Sequence, residues 1–274
     1  MHATFFSMQV ALALIYLLSL LIKEKAFNKK LFYFMCSSIL ALGLIQLSSK
    51  SVCIPLVIIL NIVFPYFLLQ GIKLRRFIWI TASLTVLLAA GILCSGTLRE
   101  RYVTQLTEDL SPANKGDILD SRVARWNVAG KLISKAPVIG YGAGSELGLL
   151  HEKFFDNKLY SSFLNNLNAH NQYLSFLLKS GIVGLLIYIS TLAYGVNISF
   201  RQKDLLFFSF MILITAVSFS ENYLDVDKGI IFYAFFFPFF FFSNSKPATD
   251  PDQQNQHKYL TPLATKQLIV PSSL

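Results

Sequence analysis

The sequence predicts an all-α membrane protein of about seven transmembrane helices with one large loop on the outer face. Three observations predict it. Apolar residues make up 54% of the chain and charged residues only 14%, with 25 Phe, a composition that soluble domains do not show. The apolar residues fall into runs of about 20, the length that crosses a bilayer. The Lys and Arg residues gather in short clusters after alternate runs, as cytoplasmic loops require.

The runs expected to span lie at about 4–22, 31–49, 52–70, 77–95, 172–197, 205–220 and 229–242. The last is short and extremely rich in Phe. The first has neither a basic start nor a small-residue cleavage site, so it reads as a span and not as a signal peptide. Lys23, Lys25, Lys29 and Lys30 follow the first run, Lys73, Arg75 and Arg76 the third, and Arg201 and Lys203 the fifth. These loops then share the cytoplasmic side, with the N-terminus outside and the C-terminus inside. The chain divides into four transmembrane helices over 1–95, a loop over 96–169, three transmembrane helices over 170–242, and a cytoplasmic tail over 243–274. The tail is polar, carries Pro247, Pro251, Pro262 and Pro271, and is expected to be disordered.

The excess of nine positive charges is accounted for by topology, so no nucleic-acid partner is expected. Cys36, Cys53 and Cys94 all lie in apolar runs, with no CxxC and no Cys/His pair at zinc spacing. They read as small apolar side chains, and neither a metal site nor a cofactor is expected.

The residues able to do chemistry sit in and around the loop. Ser121 is placed to cap a helix in which Val123, Trp126, Gly130 and Ile133 form a stripe, and Pro137 ends it. Arg122 and Arg125 are three apart on that helix and share a face. They read either as a solvated basic face or as a fork for phosphate oxygens. "GYGAG", Gly140 to Gly144, reads as a flexible turn, since it lacks the Lys-Ser/Thr ending of a nucleotide loop. Lys50, in "LSSKS", lies between two spans on the outer side, where a snorkelling lysine is the simplest reading. "SENYLDVDKG" puts Glu221, Asp225 and Asp227 outside, with Glu221 nearest the membrane, and solvated loop carboxylates are the default there.

The most informative stretch is "NAHNQYLSFLLKSGIVG", Asn168 to Gly184. Asn168, His170 and Asn171 are polar groups at the mouth of an apolar helix, where they are costly unless they face a wet cavity or one another. On a continuous helix His170, Tyr173, Leu174 and Leu177 would share a face. Gly181 and Gly184 would let a second helix approach closely. Free N–H groups of the first turn would favour an anion.

This stretch has the form His-Asn, nine residues, Gly-x-x-Gly, and resembles the signature of the O-antigen ligase and polymerase superfamily. Four other stretches agree in order. "SRVARWNVAGKLISKAPVIGYGAG" is similar to the family's Arg-x-x-x-Trp and Pro-x-x-Gly-x-Gly segment, and "LSSKSVCIPLVIIL" to a segment that usually carries Ser-Arg. "HATFFSM" resembles a His-Pro-Thr-Tyr-Phe stretch of some members, and "SENYLDVDKGIIFYAFFF" the acidic loop before the last helices.

The resemblance implies part of a C-type glycosyltransferase fold in the bacterial inner membrane, with the large loop periplasmic. It implies transfer of a glycan from an undecaprenyl-diphosphate carrier to lipid A core or to a growing glycan. By similarity His170 and Arg122 are the catalytic residues, Arg122 holding the diphosphate. Lys50, Arg125, Asn171 and Glu221 are expected to bind substrate. Two departures stand out. Lys50 occupies the place of the family's usual Arg and keeps its charge but not its fork. The family also usually carries more spans, this chain beginning near the family's middle. An inactive short member is therefore an alternative expectation. A lipid-linked glycan transporter is a weaker one, because no acidic residue sits within a span.

Overall fold

The computed structural model describes residues 3–47, 49–69, 71–111 and 120–243. All secondary structure among them is helical. The expected tail from 244 onward lies outside the described residues.

The first apolar runs form α1 (Ala3–Lys23), α2 (Phe27–Leu47), a rod made of α3 (Lys50–Ile58) and α4 (Phe64–Leu68), and α5 (Gly71–Cys94). The rod is rewound between its halves as a π-helix, Ile59–Val63, in which Phe64 N–H bonds back to Ile59. Pro65 explains the rewinding: it has no N–H for the Asn61 carbonyl, and its ring crowds that carbonyl. The loop segment holds α6 (Gly96–Arg99) and α7 (Gln105–Leu110), then α8 (Arg122–Ile133), α9 (Ser145–Asp156) and α10 (Tyr160–Leu164). The chain continues through α11 (Gln172–Arg201) and α12 (Leu205–Val217) to α13 (Asp227–Ser243).

Five helical segments are long and apolar enough to cross a membrane: α1, α2, the rod 50–68, α5 and α11. The sixth and seventh expected spans are present as helices but are shorter. α12 has 13 residues and α13 has 17, or about 20 and 26 Å against a hydrocarbon core of about 30 Å.

Short as it is, α12 is the centre of the bundle, with α1, α3, α11 and α13 packed around it. Phe207, Phe210, Met211, Leu213 and Ile214 are fully buried. Phe210 meets the rings of Phe232, Phe236 and Phe240, spaced along one face of α13. By contrast α5 has no buried residue, and α2 buries only Ser37 and Leu44. Their apolar side chains open outward, as lipid-facing surfaces do. At the end of the bundle that carries the basic clusters, Phe200 near the end of α11 stacks on Tyr66 of α4.

α11 departs from the single expected span. Gly181 has φ 61° and ψ −158°, and the helix breaks there. The rings of Tyr173 and Tyr188 lie 5.6 Å apart, whereas a straight helix would separate these positions by about 22 Å. The segment 172–180 therefore folds back on the segment 182–201. The turn after α8 fills the break. Ile182 N–H donates to Pro137 O at 2.9 Å, and Tyr141 and Gly142 N–H donate to Leu178 O and Lys179 O, each at 2.8 Å. Gly140 has φ 66°, and a methyl group on it would lie 2.6 Å from Leu178 O; one on Gly181 would collide with Val138 O. The expected close approach at Gly181 is real, but its partner is a turn and not a second helix. "GYGAG" is the docked end of that turn, held to backbone.

The loop has its own small core of Val128, Ala129 and Leu132 from α8, Leu150 and Phe154 from α9, with Leu159, Ala169 and Leu178. The Ser121 cap is as expected, its Oγ accepting from Ala124 N–H at 3.2 Å. The buried face of α8 is not the expected stripe, because Arg125, Val128, Ala129 and Leu132 face inward and Gly130 is exposed. Trp126 leaves that core because its indole N–H finds its partner elsewhere, at Ala169 O. His151 of α9 stacks on Phe163 with ring centroids 4.1 Å apart.

Candidate functional site

The polar mouth of α11 is a knot tying that helix to the turn after α12. Asn171 is the N-cap, and its Oδ1 accepts from Tyr173 and Leu174 N–H. Its own N–H donates to Asn222 Oδ1 at 2.7 Å, and Gln172 N–H donates to Ser218 O at 2.8 Å. The first-turn donors expected to be free for an anion are therefore spent within the protein. Asn171, expected to bind substrate, caps α11 through its Oδ1.

His170 is not on the first helical turn. It precedes the cap in a left-handed conformation, φ 46°, with its N–H bonded to Asn168 Oδ1. Its ring is oriented by Glu221, whose Oε2 lies 3.2 Å from Nδ1. A carboxylate can only accept, so Nδ1 carries the proton, and in the neutral ring Nε2 is the free acceptor. Thr4 Oγ1 donates to Glu221 Oε1 at 3.3 Å.

Glu221 forms part of the wall of a cavity of about 320 Å³. Thr4, Lys50, Asp109, Arg122 and Trp126 line it as well. These residues come from the start of α1, the α2–α3 junction, α7, α8 and the turn after α12, so no local stretch of sequence contains the site. Arg122 is held by two partners: Nη1 donates to Ser220 O at 2.8 Å, and Nε lies 3.4 Å from Asp109 Oδ2. Trp126 Nε1 donates to Ala169 O at 2.9 Å, fixing the residue before His170.

Of the expected site residues, Lys50, Arg122 and Glu221 thus share one cavity wall, with His170 one hydrogen bond behind Glu221. Arg125 does not join Arg122 as a fork. It is 5% exposed, and Nε and Nη1 have no hydrogen-bond partner among the described residues. Burial first, and then Arg122 beside it, push its guanidinium below the ordinary value, while Asp109, Asp120 and Glu221 oppose this.

A second polar cluster was not anticipated from the sequence. Glu146 on α9, 2% exposed, receives Ser175 Oγ, Asn222 Nδ2 at 2.9 Å, Ala169 N–H at 3.3 Å and Lys179 Nζ at 3.2 Å. Lys179 also meets Asp225 Oδ1 at 2.6 Å, so Asp225 is engaged and not simply solvated. This network joins α9, the first half of α11 and the turn before α13 directly beneath Ala169 and His170. A single lysine inside an apolar helix was the available signal for it. Among the described residues no group of His, Cys, Asp and Glu could hold a metal ion.

A family model described as O-antigen ligase matches residues 36–189, more than half of the chain. The match takes in Lys50, Arg122, Glu146 and His170. No curated protein matches the chain.

Proposed function

The chain belongs to the O-antigen ligase family, and from that premise we propose that it moves a glycan from an undecaprenyl-diphosphate carrier to a sugar hydroxyl. The proposed place is the periplasmic face of the bacterial inner membrane, and the acceptor is lipid A core or a growing glycan. One observation carries the reading: Lys50 and Arg122 share a cavity wall with Glu221, which is hydrogen-bonded to His170.

In this reading Arg122 and Lys50 hold the diphosphate. As the bond from the anomeric carbon to the diphosphate oxygen breaks, its electron pair stays on the diphosphate, and the two cations stabilise that charge. The acceptor oxygen bonds to the anomeric carbon, and its proton passes to the Glu221–His170 pair. Glu221 is the member of the pair on the cavity wall, and the hydrogen bond from Nδ1–H of His170 keeps its carboxylate in place. Diphosphate oxygens take the place of Asp109 beside Arg122.

Topology supports the outer placement. If all seven apolar helices cross, the start of the first, the junction of the second and third, and the ends of the fourth and sixth share one side. The cavity draws on all four of these points, and the basic clusters lie at the other end.

The test is Arg122→Ala in a strain whose surface glycan ladder depends on this gene. Loss of the ladder with the protein still in the membrane is expected. A full ladder overturns the reading.

A further inference from the structure

Trp126 lies on the wall of the same cavity, one turn after Arg122 on α8, so their Cβ atoms are about 6 Å apart. Its N–H is already given to Ala169 O. The indole therefore has no donor left for a ligand, and the tether prevents it from turning away. What it offers the cavity is an apolar ring face. It belongs neither to the loop core nor to the bundle core, so packing does not account for its place. Phe219 lines the cavity too.

The wall also carries the charged groups of Lys50, Asp109, Arg122 and Glu221, beside the aliphatic side chains of Leu47, Ile54, Leu106 and Leu110. A ligand matching both features has an anionic end and, immediately beside it, a ring with an apolar C–H face. A glycosyl diphosphate has that form, because a single oxygen joins the sugar ring to the phosphorus. One helical turn spans that separation.

We propose that Trp126 is the platform on which the diphosphate-linked sugar of the donor rests, and so a substrate-binding residue of the transfer reaction. This rests on the transfer reading of the cavity. A C–H face is shared by many pyranoses, so the platform recognises a sugar ring without fixing which sugar it is. The same indole, through Ala169, also sets the position of the neighbouring His170, so donor seating and the acceptor-activating group are linked by one side chain.

The protein has two tryptophans, Trp79 and Trp126. Trp79 lies on α5 and is 75% exposed. In a Trp79→Phe protein reconstituted in phospholipid vesicles, Trp126 is the sole tryptophan emitter. Its quenching by acrylamide is measured with bare undecaprenyl diphosphate and with undecaprenyl-diphosphate-N-acetylglucosamine, and binding of each is followed by retention of radiolabelled carrier. The sugar-bearing carrier should reduce quenching about twofold relative to the bare carrier, because a stacked ring covers one indole face. If both carriers bind and quenching is equal, the platform is wrong while the diphosphate reading stands. If neither carrier binds, the transfer reading fails and takes the platform with it.

In a second arm, Trp126→Phe should keep the donor KM within about twofold and lower kcat, since the ring remains and the N–H tether is lost. Trp126→Leu should raise that KM about tenfold. An unchanged KM in Trp126→Leu overturns the proposal. The quenching arm needs no change at Trp126, so it stands even where that variant does not fold.

Discussion

Nδ1 of His170 and Oε2 of Glu221 meet at 3.2 Å, joining the residue before the α11 cap to the turn after α12. If this pair activates the acceptor, its two halves fail differently. His170→Ala should abolish transfer, with the protein still inserted. Glu221→Gln can keep a hydrogen bond but not the charge, and should lower turnover about a hundredfold. The glycan ladder and a transfer assay in membranes read both. A normal ladder with His170→Ala would leave the histidine as an interfacial residue only.

Asp109 is the carboxylate beside Arg122. Asp109→Asn removes one negative charge from the cavity wall and a competitor for the guanidinium. Carrier retention at low concentration should rise several-fold. A fall would mean instead that Asp109 holds Arg122 in its working position.

Three glycines of the loop turn and the broken helix separate strain from collision. Gly140→Ala and Gly181→Ala combine a left-handed backbone with overlap onto a carbonyl, and each should cost about 3 kcal/mol or more. Gly142 has φ 100° but open space around it, so Gly142→Ala should cost only the backbone strain, about 1–2 kcal/mol. Thermal melting in detergent ranks the three. Equal melting points for Gly181→Ala and Gly142→Ala would mean that the turn does not dock at the break in the membrane-embedded protein.

Glu146→Ala should destabilise the loop by about 3 kcal/mol, the lower end for breaking a buried pair, because Lys179 keeps Asp225. It should also speed proteolysis between α8 and α11, since Glu146 anchors Ala169. Wild-type protease resistance would show the network to be dispensable.

Orientation is tested with single cysteines in a background lacking Cys36, Cys53 and Cys94. A cysteine at Ser161 should react with an impermeant thiol reagent added from the periplasm, and one at Lys29 should not. The reverse pattern would invert the topology and remove the site from the periplasmic face.

The helices themselves were legible in the sequence, and so was the family signature. An apolar run of spanning length is a local property: hydrocarbon forces each backbone group to bond within its own segment, so the run alone implies the helix. Ser121 as a cap is local in the same way. The break at Gly181 was not legible, because a glycine inside an apolar helix and a glycine at a sharp fold have the same neighbours in sequence. What decides between them is the Pro137–Gly142 turn docked on it. The inward face of α8 was misjudged for a related reason: Trp126 is the largest apolar side chain there, but its N–H required a partner, and only the fold supplied Ala169. The sequence marked Lys50, Arg122, His170 and Glu221 as candidates. The meeting of Lys50, Arg122 and Glu221 around one cavity, with His170 behind Glu221, depends on antiparallel helices bringing the same ends of distant segments together. The use of Asn171 Oδ1 as the cap of α11 depends on where the α11 backbone starts, and only the tertiary structure decides that.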